Sequence, residues 1–430
     1  MRQLSGQAPQ RADRRSPFMG WRVVGAAFVI ALFAWGIGFY GPPVFLGVLH
    51  ATRGWSVTLV SAAISLHFLC GAAVVAGLGT LHRRHGVARV TVAGALLTAV
   101  GLLGWGHARE PWQLFLAVLF SGAGWAMTSG AALNAMVSPW FERRRPAALG
   151  MAFNGASLGG VVFSPLWVAL IAALGFGLAT TWVAVAMLAA IGGAAWRYLR
   201  YTPAALGQVP DGEPGGAAAV SALAPADAAG IPPLARARCD RRFMTLAVGA
   251  SLGLFAQIGL VAHLFSMLTP VMGASAAGAA MGLATACAIG GRLLLARLMP
   301  PQADRRRVAA ANLALQALGS AVLLGAGSSP AGMLLGCCLF GLALGNVTSL
   351  PPLIAQADFR AADVARVVAW VTAASQAGYA FAPAAFGLLR ELGAAAGQGG
   401  LLFVAAGLIQ LAAAGVLLAG RRSRLADAVA

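Results

Sequence analysis

Twelve apolar runs of about 20 residues each follow one another along this sequence, from Trp21–Leu49 at the start to Leu401–Ala419 at the end. An α-helix rises about 1.5 Å per residue, so each run can cross the ~30 Å hydrocarbon core of a bilayer. With 59% hydrophobic and only 10% charged residues, the chain carries more apolar surface than a water-soluble core would bury. The expected fold class is an all-α integral membrane protein with 12 transmembrane helices.

Charge supplies the orientation. The formal net charge is +18 and every basic residue is arginine, but these residues fall between the apolar runs and form no aromatic-interleaved stripe. They speak for membrane topology and against a nucleic-acid partner, because cytoplasmic loops collect the excess of basic residues. With both termini cytoplasmic, only Arg53, Arg109 and Arg390 lie outside, and only Arg292 lies within a span. The expected site of residence is the cell inner (cytoplasmic) membrane, as a multi-pass protein. The first run is too long for the core of a signal peptide and reads as an anchor. Residues 201–242, rich in Ala, Pro and Gly, read as a flexible cytoplasmic linker between six-helix bundles at 21–200 and 243–420. Cytoplasmic tails at 1–20 and 421–430 complete the division.

Several functions are disfavoured by what the chain does not offer. Its five cysteines (Cys70, Cys239, Cys287, Cys337 and Cys338) have neither disulfide-framework nor zinc-site spacing, so no metal and no cofactor are expected. No nucleophile motif or phosphate-binding glycine loop has usable spacing, and an enzyme is not expected. All twelve acidic residues are at loop, terminal or span-edge positions.

The two halves are related. FNGASLGGVVFSP (Phe153 to Pro165) lines up with VTAASQAGYAFAP (Val371 to Pro383), matching Ser157 with Ser375, Gly160 with Gly378, and Pro165 with Pro383. Both stretches begin the fifth helix of their half. Two six-helix repeats are a known way to build a secondary transporter, with its substrate site near midplane between the halves.

The stretch after span two, GTLHRRHG (Gly79 to Gly86), resembles the G-x-L-x-D-R-x-G signature of the major facilitator superfamily, at the place where that family carries it. Arg83 stands where the family has an acid. The resemblance implies a gating loop made by Gly79, Arg83, Arg84 and Gly86, without the acid's charge pairing. SPWFERRRPAALGMAFNGASLGG (Ser138 to Gly160) and IGGRLLLARL (Ile289 to Leu298) narrow the resemblance to the monocarboxylate porter and oxalate/formate antiporter branch. In that branch the helix-eight arginine is taken to bind a substrate carboxylate, a role that falls here on Arg292.

Helical phase supports a special role for Arg292. Gly278, Gly282, Ala286 and Gly290 form a small-residue stripe that permits close helix packing. Arg292 lies about 200° around the helix from Gly290 and shares its face with Thr285. A polar face across a greasy span is expected along a water-filled cavity. A guanidinium stays charged and offers a rigid fork that matches a carboxylate.

Five further candidates join Arg292 in a substrate site: His263, Tyr40, Asn154, Gln376 and Tyr379. His67 and His263 are candidates for proton coupling, since histidine titrates near neutral pH. The expected function is secondary active or facilitative transport of a small organic anion, monocarboxylate-like, by alternating access, as symport or antiport. The alternative is efflux of a drug or other hydrophobic solute. The partners implied are a small carboxylate and the lipid bilayer, with a monomer as the simplest assembly.

Overall fold

The computed structural model describes residues 18–212, 240–300 and 302–421. Among these the architecture is all-helical, with no strand. Hydrocarbon explains this, because every backbone N–H and C=O in lipid must be bonded within its own segment. The first half contains α1 (Gly20–Gly38), α2 (Gly41–Arg53), α3 (Val57–His85), α4 (Val87–His107), α5 (Pro111–Thr128), α6 (Gly130–Val137), α7 (Arg145–Leu174) and α8 (Phe176–Ala194). The second contains α9 (Arg241–Leu298), α10 (Arg305–Gly325), α11 (Pro330–Leu344), α12 (Asn346–Asp358), α13 (Ala361–Tyr379), α14 (Ala382–Ala395) and α15 (Leu401–Ala419).

Ten stretches among the described residues are long and apolar enough to cross a membrane. One of them, α9, has 58 residues but is broken at Gly273, with φ 80° and ψ 161°. Gly86 (φ 79°, ψ 152°) and Gly175 (φ 78°, ψ 162°) adopt the same backbone state where α3 gives way to α4 and α7 to α8. Side chains with a Cβ essentially never occupy that region, so glycine makes these one-residue turns.

Other breaks fall inside spans. Pro42 and Pro43 begin α2 and deny hydrogen bonds to the end of α1. The Tyr40 amide bonds to the Trp35 carbonyl at 2.9 Å, and the indole N–H of Trp167 takes up the Gly36 carbonyl left over, at 3.0 Å. Between α11 and α12 the Ala343 carbonyl accepts from Asn312 Nδ2 at 3.0 Å, and Asn312 Oδ1 accepts from Asn346 at 3.0 Å. The two repeat segments also part company: Pro165 sits within unbroken α7, whereas Pro383 opens α14 after a break following Tyr379.

The cores locate where the halves join. One hydrophobic core runs from Val23 and Val90 in the first half through Phe265, Leu268, Ala280 and Phe386 in the second. A separate core of Phe243, Leu246, Leu313, Leu350 and Leu417 occupies the arginine-bearing end of the second half alone. The halves are therefore fused at the end remote from the arginine loops and divided at the basic end.

At that basic end, the stretch expected to be a gating loop is mostly helix. Gly79, Arg83 and Arg84 lie in the last turns of α3, and only Gly86 makes the turn. Basic residues suit a helix C-terminus, where the dipole is negative, so the cluster extends the helix and does not end it. Arg83 donates to the Thr80 hydroxyl at 2.9 Å.

The start of the linker is tied down. Asp211, at φ 61°, accepts from the backbone amides of Glu142 (3.2 Å), Arg143 (2.9 Å) and Arg144 (3.2 Å), just ahead of α7. Most of the rest of the linker lies outside the described residues. Burial alone would raise the Asp211 carboxyl, but the amides of Arg143, Arg144 and Glu142 and the Arg143 charge together hold it below the usual carboxylate range. A depressed folded value means that the tether stabilises fully above the ordinary aspartate pKa of about 3.9 and fades as pH falls through the folded value. Asp211→Asn is therefore expected to lower the thermal midpoint at pH 7, with the difference from the parent protein shrinking toward pH 3. An equal difference across that range counts against the tether.

Candidate functional site

The break between α1 and α2 places Tyr40 at an elbow, buried, on the inner side of the first half. Its hydroxyl meets Thr285 of α9, whose own hydroxyl donates to the Met281 carbonyl at 3.0 Å. The Tyr40–Thr285 contact joins the two halves. Gly160 of α7 makes room for it, since a Cβ there would lie 2.5 Å from Tyr40 Cζ and 2.6 Å from Thr285 Cγ2.

Arg292 lies two turns beyond Thr285 on α9. Its guanidinium turns toward the first half, where Nη2–H donates to the Ser157 hydroxyl of α7. Its stem rests against the break between α11 and α12, where a Cβ on Gly345 would come within 2.9 Å of Arg292 Nε. The side chain is half-buried and interacts electrostatically with Tyr40. Among the described residues the ion pairs join Arg306 to Asp358, and Arg307 and Arg421 to Asp304, so Arg292 has no carboxylate partner. The seam thus holds a fixed cation with a neutral hydroxyl as its acceptor.

An aromatic chain extends this seam. Ring centroids step from Tyr40 to Phe39 (4.9 Å), to Phe68 of α3 (6.2 Å) and on to Tyr379 of α13 (5.8 Å). Tyr40 and Tyr379 are its two ends, one from each half. Gln376 lies one turn before Tyr379 and is half-buried, while Asn154 lies one turn before Ser157 on α7 and is exposed.

The histidines lie elsewhere. His263 is fully buried and donates from Nε2 to the Pro383 carbonyl at 3.1 Å, within the second half. His67 is buried in the first half, where Nδ1 is hydrogen-bonded with the Ser121 hydroxyl at 2.9 Å. Neither is joined to Arg292 in this conformation. Ser157 and Thr285 complete the cluster, and both share a face with a named candidate in the sequence. Phe39 and Phe68 left no such mark, because a phenylalanine in an apolar run carries no signal of its own.

The chain matches the family model described as Major Facilitator Superfamily over residues 23–383. It is 30% identical to Monocarboxylate transporter 13 of Bos taurus over 162 residues, which is 36% of this chain and 37% of that protein. It is 35% identical to Monocarboxylate transporter 3 of Rattus norvegicus over 150 residues, 34% of this chain and 30% of that protein. Each match thus spans only about a third of the relative's length. The solved structure of the nucleoside transporter NupG superposes with a TM-score of 0.70 at 13% identity, covering 94% of this chain and 99% of that one. That likeness is one of fold.

Proposed function

The chain belongs to the Major Facilitator Superfamily, a family of transporters, and on that premise we propose that it carries a small organic anion, monocarboxylate-like, by alternating access. In this proposal twelve spans form two six-helix halves, with both termini in the cytoplasm of a cell whose inner membrane holds the protein. The turn at Gly273 supports dividing α9 into two spans, and α13 with α14 supplies the remaining one. Arginine loops at one end support the orientation.

The observation that carries the proposal is the Arg292 guanidinium, turned inward onto Ser157 between the halves and, among the described residues, lacking a carboxylate partner. A substrate carboxylate would take the place of the Ser157 hydroxyl as acceptor, with a charge-assisted, two-pronged bond in place of a neutral one. Tyr40, Asn154, Gln376 and Tyr379 shape the wall around it. A coupled proton would ride on the substrate, or on His67 or His263 once the cycle frees them from Ser121 and Pro383. The aromatic chain from Tyr40 to Tyr379 favours a second reading, efflux of a hydrophobic solute.

Uptake into proteoliposomes decides between them. Labelled two- to four-carbon monocarboxylates are expected to enter about a hundredfold faster than their neutral amides, a difference of ~2.7 kcal/mol, within reach of charge-assisted hydrogen bonds. Equal rates for acid and amide would favour the hydrophobic-solute reading.

A further inference from the structure

The end at which the halves are fused is closed by helices that cap one another across the seam. The N-terminus of α3, in the first half, has four amides with no partner inside the helix. Val60 N bonds to the Ser56 carbonyl at 3.2 Å and Leu59 N to the Ser56 hydroxyl at 3.1 Å. The Thr58 amide donates instead to Oε1 of Glu391, in the second half, at 2.9 Å, and the Val57 amide and Ser56 hydroxyl also bear on that carboxylate. The favour is returned two turns deeper. The amide of Ala384, near the start of α14, donates to the Ser65 hydroxyl of α3 at 3.0 Å. Between the two bonds, Gly387 packs so tightly on α3 that a Cβ would lie 2.6 Å from Ser61 Oγ.

We propose that Glu391 is the titratable latch of this gate: ionised, it holds α14 on the N-terminus of α3, and protonation from the outer side releases the halves. The proposal rests on reading the chain as an alternating-access transporter, but not on the identity of its substrate. Ser65 and Gly387 hold the seam with neutral groups, and Glu391 is the carboxylate that bonds across it. The charged neighbour on its own helix is Arg390, whose guanidinium donates to the Ser266 hydroxyl of α9 at 2.6 Å. On α3 the facing groups are Ser56, Val57 and Thr58, all neutral. The last turn of α2 brings His50, engaged with the Trp55 carbonyl at 2.8 Å, and exposed Arg53 to the same end, and α9 brings His263, held by Pro383.

Sign follows from the donors. The Thr58 amide and its neighbours hold the closed-gate carboxyl below the usual range. Opening removes them and restores the ordinary value of about 4.3. The closed form is therefore favoured at neutral pH and loses ground as pH falls through that value.

The test is a spin-label distance measurement on the full chain in lipid nanodiscs, with its native cysteines replaced and labels at Ala51→Cys and Ala396→Cys. Both positions are exposed, one in each half at the latched end. One short distance is expected at pH 7, and the open-to-closed ratio should rise by up to about threefold by pH 4 and further below it. Glu391→Gln should show the longer distance at both pH values, while Glu391→Asp should retain the pH response. Identical distances for the parent protein at pH 7 and pH 4, or an unchanged pH response in Glu391→Gln, would overturn the latch. The measurement needs no substrate, so its failure stays separate from a failure of carboxylate uptake.

Discussion

Arg292→Ala is expected to reduce carboxylate uptake by about a thousandfold, the equivalent of ~4 kcal/mol, while leaving the protein folded. Losing the partner of a desolvated charged hydrogen bond commonly costs 2 to 5 kcal/mol or more, roughly this range. Arg292→Lys should recover only part of it, remaining about ten- to a hundredfold below the parent protein, because an ammonium keeps the charge but loses the planar fork. Stability should move the other way. The guanidinium is half-buried with a neutral hydroxyl as its acceptor, so Arg292→Met relieves an expense of desolvation and should raise the thermal midpoint. Proteoliposome uptake and thermal unfolding, run side by side, separate a functional arginine from a structural one. Normal carboxylate uptake in the Ala and Lys variants would remove Arg292 from the site.

Arg306→Ala is expected to show the opposite pattern, a loss of stability of about 3–5 kcal/mol, as when one member of a buried ion pair is removed. The Arg306 side chain is 3% exposed and binds Asp358 at 2.7 Å. It also donates to the Thr245 hydroxyl (3.0 Å), the Leu417 carbonyl (3.0 Å) and the Arg242 carbonyl (2.8 Å). One guanidinium thereby ties α9, α10, α12 and α15 together at the basic end of the second half. The double variant Arg306→Ala/Asp358→Ala should recover part of the loss, because no carboxylate is left without its partner. Thermal unfolding in one detergent measures both, and a shift of less than about 1 kcal/mol for the single variant would class the network with ordinary surface pairs.

Arg306 also shows where sequence reading meets its limit. In the sequence it is the middle of three arginines after Asp304, indistinguishable from Arg305 and Arg307, and it reads as one more cytoplasmic positive charge. Arg292 could be singled out because depth along a helix is countable: an arginine six residues inside an apolar run must either snorkel to the headgroups or face a polar cavity. Tyr40 was legible for a similar reason, next to glycines and two prolines. Ser157 and Thr285 were legible as a face, through helical phase, but not as partners. His263 fell the other way. Its position inside a span suggested the substrate site, yet Pro383, at a helix break of the second half, holds it.

By itself the sequence determined the solvent and the helical class, because these depend on run length and composition along the chain. The candidate cation was also visible, since burying a charge in a greasy run is costly wherever the helix ends up. Tertiary structure alone decided which residues meet: Arg292 with Ser157, Tyr40 with Thr285, and Glu391 with the start of α3. These contacts join positions more than a hundred residues apart. They depend on where Pro42, Gly273 and Pro383 turn or break the chain and on how the helix faces then settle against each other, and local spacing encodes neither.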